Sequence, residues 1–337
     1  MKHIYLDNAA ATRPDKAVLQ AMDRVAKNLY ANPSSFNELG GLARKELDKA
    51  RLIVARFLSA REDEVIFTSS GSEANTLAFL GLAGAHPTKK RIIISAVEHT
   101  SILEAANFLK KRGYIIDILG VDKNGKVDPM ELEKKLGDDV LLVSVMMANN
   151  EVGTIQPVIE IGKKIEQFKK KLGQLYPLFH TDACQAAGSL NIGPSRLKAD
   201  LITFNGSKIY GPKGCGVLYV RKGATLSPLI LGGGQESGLR AGTENLPAIV
   251  GLAKAVGLKT NAKNISALKD LFISKVEDMI SGVLLNGPRG DVRLANNINF
   301  SFKGLESEAI LVELDKYGIY AGSGSACTSR SVEPSHV

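Results

Sequence analysis

The chain has 337 residues, 44% of them hydrophobic, with no tryptophan and a formal charge of +8. That length carries a sizeable core and predicts one large domain with a smaller one. No apolar run approaches the roughly 20 residues that span a bilayer, and Met1-Lys2-His3-Ile4-Tyr5-Leu6-Asp7 lacks the apolar region of a secretory signal. Cys184, Cys215 and Cys327 are too few and too scattered for a disulfide framework or a zinc cluster, so no metal site is expected and a reducing cytoplasm fits best.

In chain order, Tyr5-Leu6-Asp7-Asn8-Ala9-Ala10-Ala11-Thr12-Arg13-Pro14 reads as a short strand and a loop entering a helix at Pro14. Asn32-Pro33-Ser34-Ser35 is a turn, and apolar spacing predicts a helix over 41–58. Strand-like runs then alternate with helical patterns: Val65-Ile66-Phe67-Thr68, Arg91-Ile92-Ile93-Ile94-Ser95, Ile115-Ile116-Asp117-Ile118-Leu119 and Val140-Leu141-Leu142-Val143-Ser144-Val145. Two more end near Asp182 and Lys208, and Gly216-Val217-Leu218-Tyr219-Val220 closes the series. Near-continuous apolar strands between helices predict an α/β fold with a largely parallel sheet covered on both faces. Functional sites in such sheets form at the carboxyl ends of the strands. Residues 232–245 form a glycine-rich connector, 246–280 a long helical region, 297–302 a half-buried strand and 306–316 a helix, together a smaller α+β tail.

The basic clusters, Lys110-Lys111-Arg112 and Lys169-Lys170-Lys171 among them, lie near the ends of helical patterns. Cations there complement the helix dipole and stay solvated. Without aromatic interleaving or a nucleic-acid motif, no direct nucleic-acid partner is expected. An acidic protein partner remains compatible with the charge.

Several turns after strands carry polar residues. Thr68-Ser69-Ser70-Gly71-Ser72-Glu73-Ala74-Asn75 joins a strand to a helix, whose N-terminus suits a phosphate. Gly71 lets backbone approach, and Ser72 adds a hydroxyl. An ordinary serine cap is the simpler alternative. Val97-Glu98-His99-Thr100-Ser101 offers an imidazole, which titrates near neutrality, or merely the start of a helix. Ala148-Asn149-Asn150-Glu151-Val152-Gly153-Thr154 offers amides or is an asparagine-rich turn.

The most specific stretches come next. Asp182 ends the run Leu178-Phe179-His180-Thr181-Asp182, with Gln185 three residues on. A carboxylate there can face the pyridine nitrogen of pyridoxal phosphate and keep it protonated, or it can cap the following segment. Lys208 follows Asp200-Leu201-Ile202-Thr203-Phe204 in Asn205-Gly206-Ser207-Lys208-Ile209-Tyr210-Gly211-Pro212-Lys213-Gly214. A lysine facing a pocket can become a neutral amine, the form that condenses with an aldehyde. Lys208 and Asp182 on successive strand ends favour that cofactor over a surface lysine.

These segments resemble the NifS/IscS-type cysteine desulfurases, class-V enzymes of the fold-type I pyridoxal-phosphate group. The resemblance runs from Tyr5-Leu6-Asp7-Asn8-Ala9-Ala10 to Ser323-Gly324-Ser325-Ala326-Cys327-Thr328-Ser329-Arg330-Ser331-Val332-Glu333-Pro334, nearly the whole chain. It implies a large cofactor-binding α/β domain over 14–250 and a small α+β domain from 1–13 and 251–337. It implies that L-cysteine becomes L-alanine, with persulfide on Cys327. Glycines and serines around Cys327 fit a mobile loop, whereas Cys184 and Cys215 sit in apolar contexts and are expected to be packed. His99 corresponds to a histidine stacked on the cofactor ring and proposed to move protons, and Asn150 to an amide beside the ring hydroxyl. Gly71, Ser72 and Ser207 fall at the phosphate. Thr243 would reach the phosphate of a second subunit, implying a homodimer.

The chain departs from the family pattern at Ala11, usually threonine, at Asn205, usually serine, and at Ser207, usually histidine. Family members also continue past Val337 with further helices and a substrate-carboxylate arginine, which implies a fragment or a short small domain. The sulfur would pass to an iron–sulfur scaffold or another acceptor protein, including one for tRNA thiolation. Other class-V activities, such as a selenocysteine lyase, and a truncated dimer partner without turnover are the alternative readings.

Overall fold

The computed structural model describes residues 3–259, 261–324 and 335–337. Cys327 and its neighbours 325–334 lie outside the described residues.

The chain begins with β1 (Ile4–Tyr5) and continues through helices α1 (Lys16–Asn28) and α2 (Glu38–Leu58). Helix α1 starts after Pro14, not at it, because the Asp15 carboxylate accepts a hydrogen bond from the amide of Ala17 at 2.8 Å. Helix α2 starts three residues before the expected 41, because Asn37 Oδ1 accepts from the amide of Gly40 at 2.9 Å. Such caps are each worth about 1 kcal/mol. Ala43, Leu47, Ala50, Val54 and Leu58 line the buried face of α2 at helical spacing. Ser59, with φ of 54°, ends it in the left-handed region.

Next come β2 (Val65–Thr68), α3 (Gly71–Thr76), a π-helical turn (Leu77–Gly81) leading into α4 (Leu82–Ala85), and β3 (Arg91–Ser95). They are followed by α5 (Thr100–Lys110), β4 (Ile115–Leu119), α6 (Pro129–Lys135), β5 (Val140–Ser144), α7 (Val158–Leu172), β6 (Leu178–Asp182), α8 (Pro194–Leu197), β7 (Leu201–Asn205) and β8 (Gly216–Val220). Strands β2 to β8 form one seven-stranded sheet in the order β2-β8-β7-β6-β5-β3-β4. Strand β8 is antiparallel to both of its neighbours, and the other pairings are parallel. Because β8 separates β2 from β7, β2 runs in the same direction as the parallel set.

Every residue of β5, β6 and β8 is buried, so these strands are covered on both faces. Side chains alternate between two core layers. Phe67, Ile93, Val143, Phe179, Ile202 and Phe204 pack on one side against α1, α2, α7 and α9 (Leu246–Ala255). Ile66, Ile92, Ile94, Leu142, Leu178 and Leu201 pack on the other against α3, α4 and α5.

The connector over 232–245 is held to the sheet by a buried ion pair. Glu236 Oε1 and Oε2 accept from Arg51 at 2.6 and 2.8 Å, and Oε2 also accepts from the amide of Phe67 at 2.8 Å. The helical region expected over 246–280 is two helices, α9 and α10 (Ala262–Met279). Asn261 caps α10 by accepting from the amide of Asn264. Strands β9 (Val283–Leu285) and β10 (Phe300–Phe302) pair antiparallel. The strand expected over 297–302 is thus only half that length. Helix α11 (Ser307–Lys316) precedes β11 (Ile319–Tyr320), which pairs parallel with β1 and joins the two ends of the chain.

Candidate active site

The carboxyl ends of β2, β3, β5, β6 and β7 open on one edge of the sheet, and the turns after them carry the polar residues singled out from the sequence. Lys208 ends a short 3-10 turn (Gly206–Lys208) directly after β7. Its Nζ donates to the carbonyl oxygens of Ala9 at 2.7 Å and Ala10 at 2.6 Å. Gln185 Nε2 donates to the same Ala9 oxygen at 3.0 Å. The N-terminal segment is fixed there by Thr12, whose amide and hydroxyl both donate to the Ser207 carbonyl while its hydroxyl oxygen accepts from the amide of Tyr210.

Asp182, at the end of β6, is buried. Its Oδ1 accepts from the amide of Cys184 at 2.9 Å, so the capping role weighed from the sequence is present. Its Oδ2 accepts from Asn75 Nδ2 at 2.7 Å. That amide nitrogen also donates to Ser101 Oγ at 3.0 Å. Ser101 in turn lies against His99, with Oγ at 2.8 Å and its amide at 3.1 Å from Nδ1. His99 caps α5 through this contact, so it begins a helix and faces the cluster at once. Burial pulls the His99 imidazole below its ordinary range. Asp182 and Glu151 oppose that shift, and Lys208 and His336 add to it.

On the β2 side, Ser70 and not Ser72 caps α3, accepting from the amide of Glu73 at 3.1 Å. Ser72 is exposed in the first turn. Gly71 is needed for close approach: a Cβ there would lie 2.8 Å from Cys184 Sγ and 2.9 Å from Asn205 Nδ2. Ser207 Oγ donates to Asn205 Oδ1 at 3.0 Å, and Asn205 Nδ2 reaches Cys184 Sγ at 3.4 Å. Asn205 and Ser207 therefore brace each other beside the start of α3.

Asn150 sits at the tip of a turn built by its buried neighbour. Asn149 Oδ1 accepts from the amides of Glu151 and Val152, each at 2.9 Å, and its Nδ2 donates to the Val97 carbonyl at 3.1 Å. Thr243 is exposed on the connector. No hydrogen bond joins its side chain to the residues around Lys208 among the described residues. Cys184 and Cys215 are free thiols. Burial pushes Cys215 up to about 12 and Cys184 well above the ordinary thiol range.

Beneath the edge lie two further titrating groups. Glu98 is fully buried, and its Oε1 accepts from Ser95 Oγ and from the amide of Met146, both at 2.7 Å. Burial pushes this carboxyl up to about 8; the two hydrogen bonds pull it down, and Asp182 adds to the rise. His180, one pleat below Asp182, lies between Ser144 Oγ at 2.9 Å and Thr203 Oγ1 at 3.1 Å. Burial pulls it down to about 4, against the opposing charge of Asp182.

The sequence reading missed Asn75, Ser101, Glu98 and the Ala9 and Ala10 carbonyls. Asn75 and Glu98 were within reach, since each is a polar residue in a quoted turn beside apolar strands. The Asn75 contact spans 107 positions to Asp182, and no local pattern reports it. A cavity of about 530 Å³ lined by Met147, Ile155, Pro157, Val158 and Leu190 contains none of these residues.

Known proteins share this fold and much of this sequence. The family described as Aminotransferase class-V matches residues 4–337. A cysteine desulfurase IscS of Dictyoglomus turgidum is 46% identical over 342 residues, covering 100% of this chain and 85% of that protein. A solved structure described as a NifS-like protein superposes with a TM-score of 0.89 at 37% identity, covering 95% of this chain and 87% of that one. A structure described as SspA in complex with cysteine superposes at 0.85 with 32% identity, covering 99% of this chain and 92% of that one. A match over nearly the full chain, on the fold described above, makes this chain a member of the class-V aminotransferase family.

Proposed function

We propose that the chain is a cysteine desulfurase: L-cysteine and the thiol of Cys327 give L-alanine and a persulfide on Cys327. The reaction balances without an added oxidant. The thiolate sulfur bonds to the substrate sulfur, the substrate carbon–sulfur bond breaks, and the carbon takes up the electron pair and a proton. The observation that carries this reading is that Lys208, Asp182 and His99 follow β7, β6 and β3 at the same edge of the sheet, in a chain 46% identical to a protein named for that activity. The substrate assignment also draws on the neighbour described as bound to cysteine.

The family uses pyridoxal phosphate, and the residues at this edge fit it. Lys208 supplies the amine, Asp182 a buried carboxylate for the ring nitrogen, and Gln185 an amide that lies with Lys208 on the Ala9 carbonyl. Gly71 keeps the approach to α3 clear, with Ser72, Asn205 and Ser207 around it for the phosphate. When bound, the cofactor supplies an electron sink. His99 and Asn150 would flank the ring, and Thr243 would serve the site of a second copy, so the working form is a homodimer. The other two thiols do not compete as nucleophiles: burial holds Cys215 and Cys184 above the ordinary thiol range, against thiolate formation. The sulfur would then pass to an acceptor protein such as an iron–sulfur scaffold, in a reducing cytoplasm.

Mass spectrometry after incubation with pyridoxal phosphate and L-cysteine tests this. A mass gain of one sulfur on the peptide containing Cys327, lost in Cys327→Ser while cofactor loading persists, is expected. Sulfur on Cys184 or Cys215 with Cys327 unmodified would overturn the assignment.

A further inference from the structure

Asp182 and His99 are joined by a short polar chain that neither residue explains. The Asn75 amide nitrogen has two hydrogens, and both are committed: one to Asp182 Oδ2 at 2.7 Å, the other to Ser101 Oγ at 3.0 Å. Turning the amide over would set its oxygen against the Asp182 carboxylate, two acceptors with no proton between them. The orientation of Asn75 is therefore set by Asp182. Ser101 Oγ accepts from Asn75 and has one hydrogen of its own to give, and the atom 2.8 Å away is Nδ1 of His99. The backbone amide of Ser101 lies 3.1 Å from the same nitrogen and can only donate. The amide makes Nδ1 the acceptor, the hydroxyl hydrogen can then join it there, and Nε2 is the ring nitrogen that carries the proton.

We propose that Asn75 and Ser101 are positioning residues that hold His99 in the tautomer with its proton on Nε2, so that His99 presents a donor rather than a base. Asn75 is buried. Its Oδ1 has no hydrogen-bond partner among the described residues. Leaving that oxygen unpaired is costly, which marks the two N–H contacts as the reason the residue is held this way. A ring donor beside Asp182 and Lys208 suits an electron-rich oxygen of whatever occupies the site. Among the described residues, the charged and titratable groups acting on His99 are Asp182 from β6, Lys208 after β7, Glu151 after β5 and His336. Asp182 and Glu151 favour a charged ring, and Lys208 and His336 oppose it. The two Ser101 donors act on one nitrogen specifically, which charge alone does not.

This inference rests on the reading of the edge as a cofactor site for its purpose, but its geometry and its test do not need the cofactor. Nitrogen-15 spectra of the full chain with labelled histidine, recorded before and after adding pyridoxal phosphate, distinguish the two tautomers directly. The parent should show His99 with an unprotonated Nδ1 and a protonated Nε2. Ser101→Ala should raise the fraction carrying the proton on Nδ1 by about five- to tenfold, the worth of one hydrogen bond. Ser101→Thr, which keeps the hydroxyl, should restore the parent spectrum, and Asn75→Leu should act in the same direction as Ser101→Ala. Loss of folding in Asn75→Leu would not affect the Ser101 pair. A parent with its proton on Nδ1, or a Ser101→Ala spectrum identical to the parent's, would overturn the proposal. Failure of pyridoxal phosphate to attach to Lys208 in a parent that shows the Nε2 tautomer would instead overturn the cofactor reading alone.

Discussion

The seven-stranded sheet and the region after α9 solve the same problem under different constraints. In the sheet both faces are covered, so β5, β6 and β8 bury every residue. Strand ends in such a layer are fixed relative to one another, and polar groups there must find partners within the protein. His180 and Asp182 do so through Ser144, Thr203, Asn75 and Cys184, and Glu98 Oε1 through Ser95 and Met146. After α9 the chain makes two-stranded pairings, and large apolar side chains remain at the surface. Phe272 is 48% exposed and Leu284 65% exposed. The contrast teaches that the strand ends of the candidate site are set by complete packing, while the tail braces the Asn150 turn from outside, through Asn297 and Asn299 donating to the Glu151 carbonyl at 3.0 and 3.1 Å.

The largest expected effect separates the two regions by stability. Phe179→Ala or Phe204→Ala, each removing a fully buried ring, should cost about 3–5 kcal/mol. Phe272→Ala in α10 should cost less than about 1 kcal/mol, since half of its ring already faces water. Denaturant melts of the three variants compare the regions directly, and equal losses would break the contrast.

A substitution within the sheet edge sharpens it. Asp182→Ala removes a buried carboxylate and strands the Asn75 amide. Alanine formation from L-cysteine should fall by about a hundredfold, the scale of one charge-assisted contact at the reacting ring. Retention of pyridoxal phosphate should fall much less, because the residues around α3 are untouched. Unchanged turnover would remove Asp182 from the chemistry.

Gly71→Ala tests close approach with a single methyl group. Its Cβ meets Cys184 Sγ and Asn205 Nδ2 inside 3 Å, so both must move. Affinity for pyridoxal phosphate should drop about tenfold while the melting transition stays within about 2 kcal/mol of the parent. An unchanged affinity would mean that nothing binds against this turn.

The smallest effect is in the pH dependence of stability. Glu98 has a folded pKa raised from 4.5 to about 8, so the folded state holds its proton more tightly. Its contribution is full at low pH and is lost as pH rises from about 4.5 towards 8. His180 is lowered from 6.5 to about 4, and its contribution is full above 6.5 and lost as pH falls towards 4. The two oppose each other at acid pH, leaving Glu98 to dominate from about 6.5 to 8. Stability should decline there by up to about 1.4 kcal/mol per pH unit, and Glu98→Gln should flatten the decline. A parent without a slope in that window would show that Glu98 is already ionised.

Much of the sheet was legible because a buried parallel strand writes its burial into the sequence. Arg91–Ser95, Ile115–Leu119 and Leu178–Asp182 have the bounds expected from their apolar runs. Helix starts were less legible: Asn37 and Asp15 decide them by capping, against the pull of Gly41 and Pro14. The tail was least legible. Asn297 looks like part of an alternating strand, yet its amide is spent on the Glu151 carbonyl at 3.0 Å, and the strand shortens to Phe300–Phe302. At the candidate site, Lys208, Asp182 and His99 stood out because each ends or closely follows an apolar run. Asn75 and Ser101 did not, since the contact that joins them and the one from Asn75 to Asp182 span 26 and 107 positions and are made only by the fold.

The central claim is that Lys208 is the amine that holds the cofactor at this edge. Borohydride reduction of the chain loaded with pyridoxal phosphate, followed by peptide mass spectrometry, addresses it most directly. The predicted result is the reduced pyridoxyl group on the peptide containing Lys208, and its absence from Lys208→Ala with the fold retained. Labelling of another lysine in the parent, or retention of the reduced cofactor by Lys208→Ala, would contradict it.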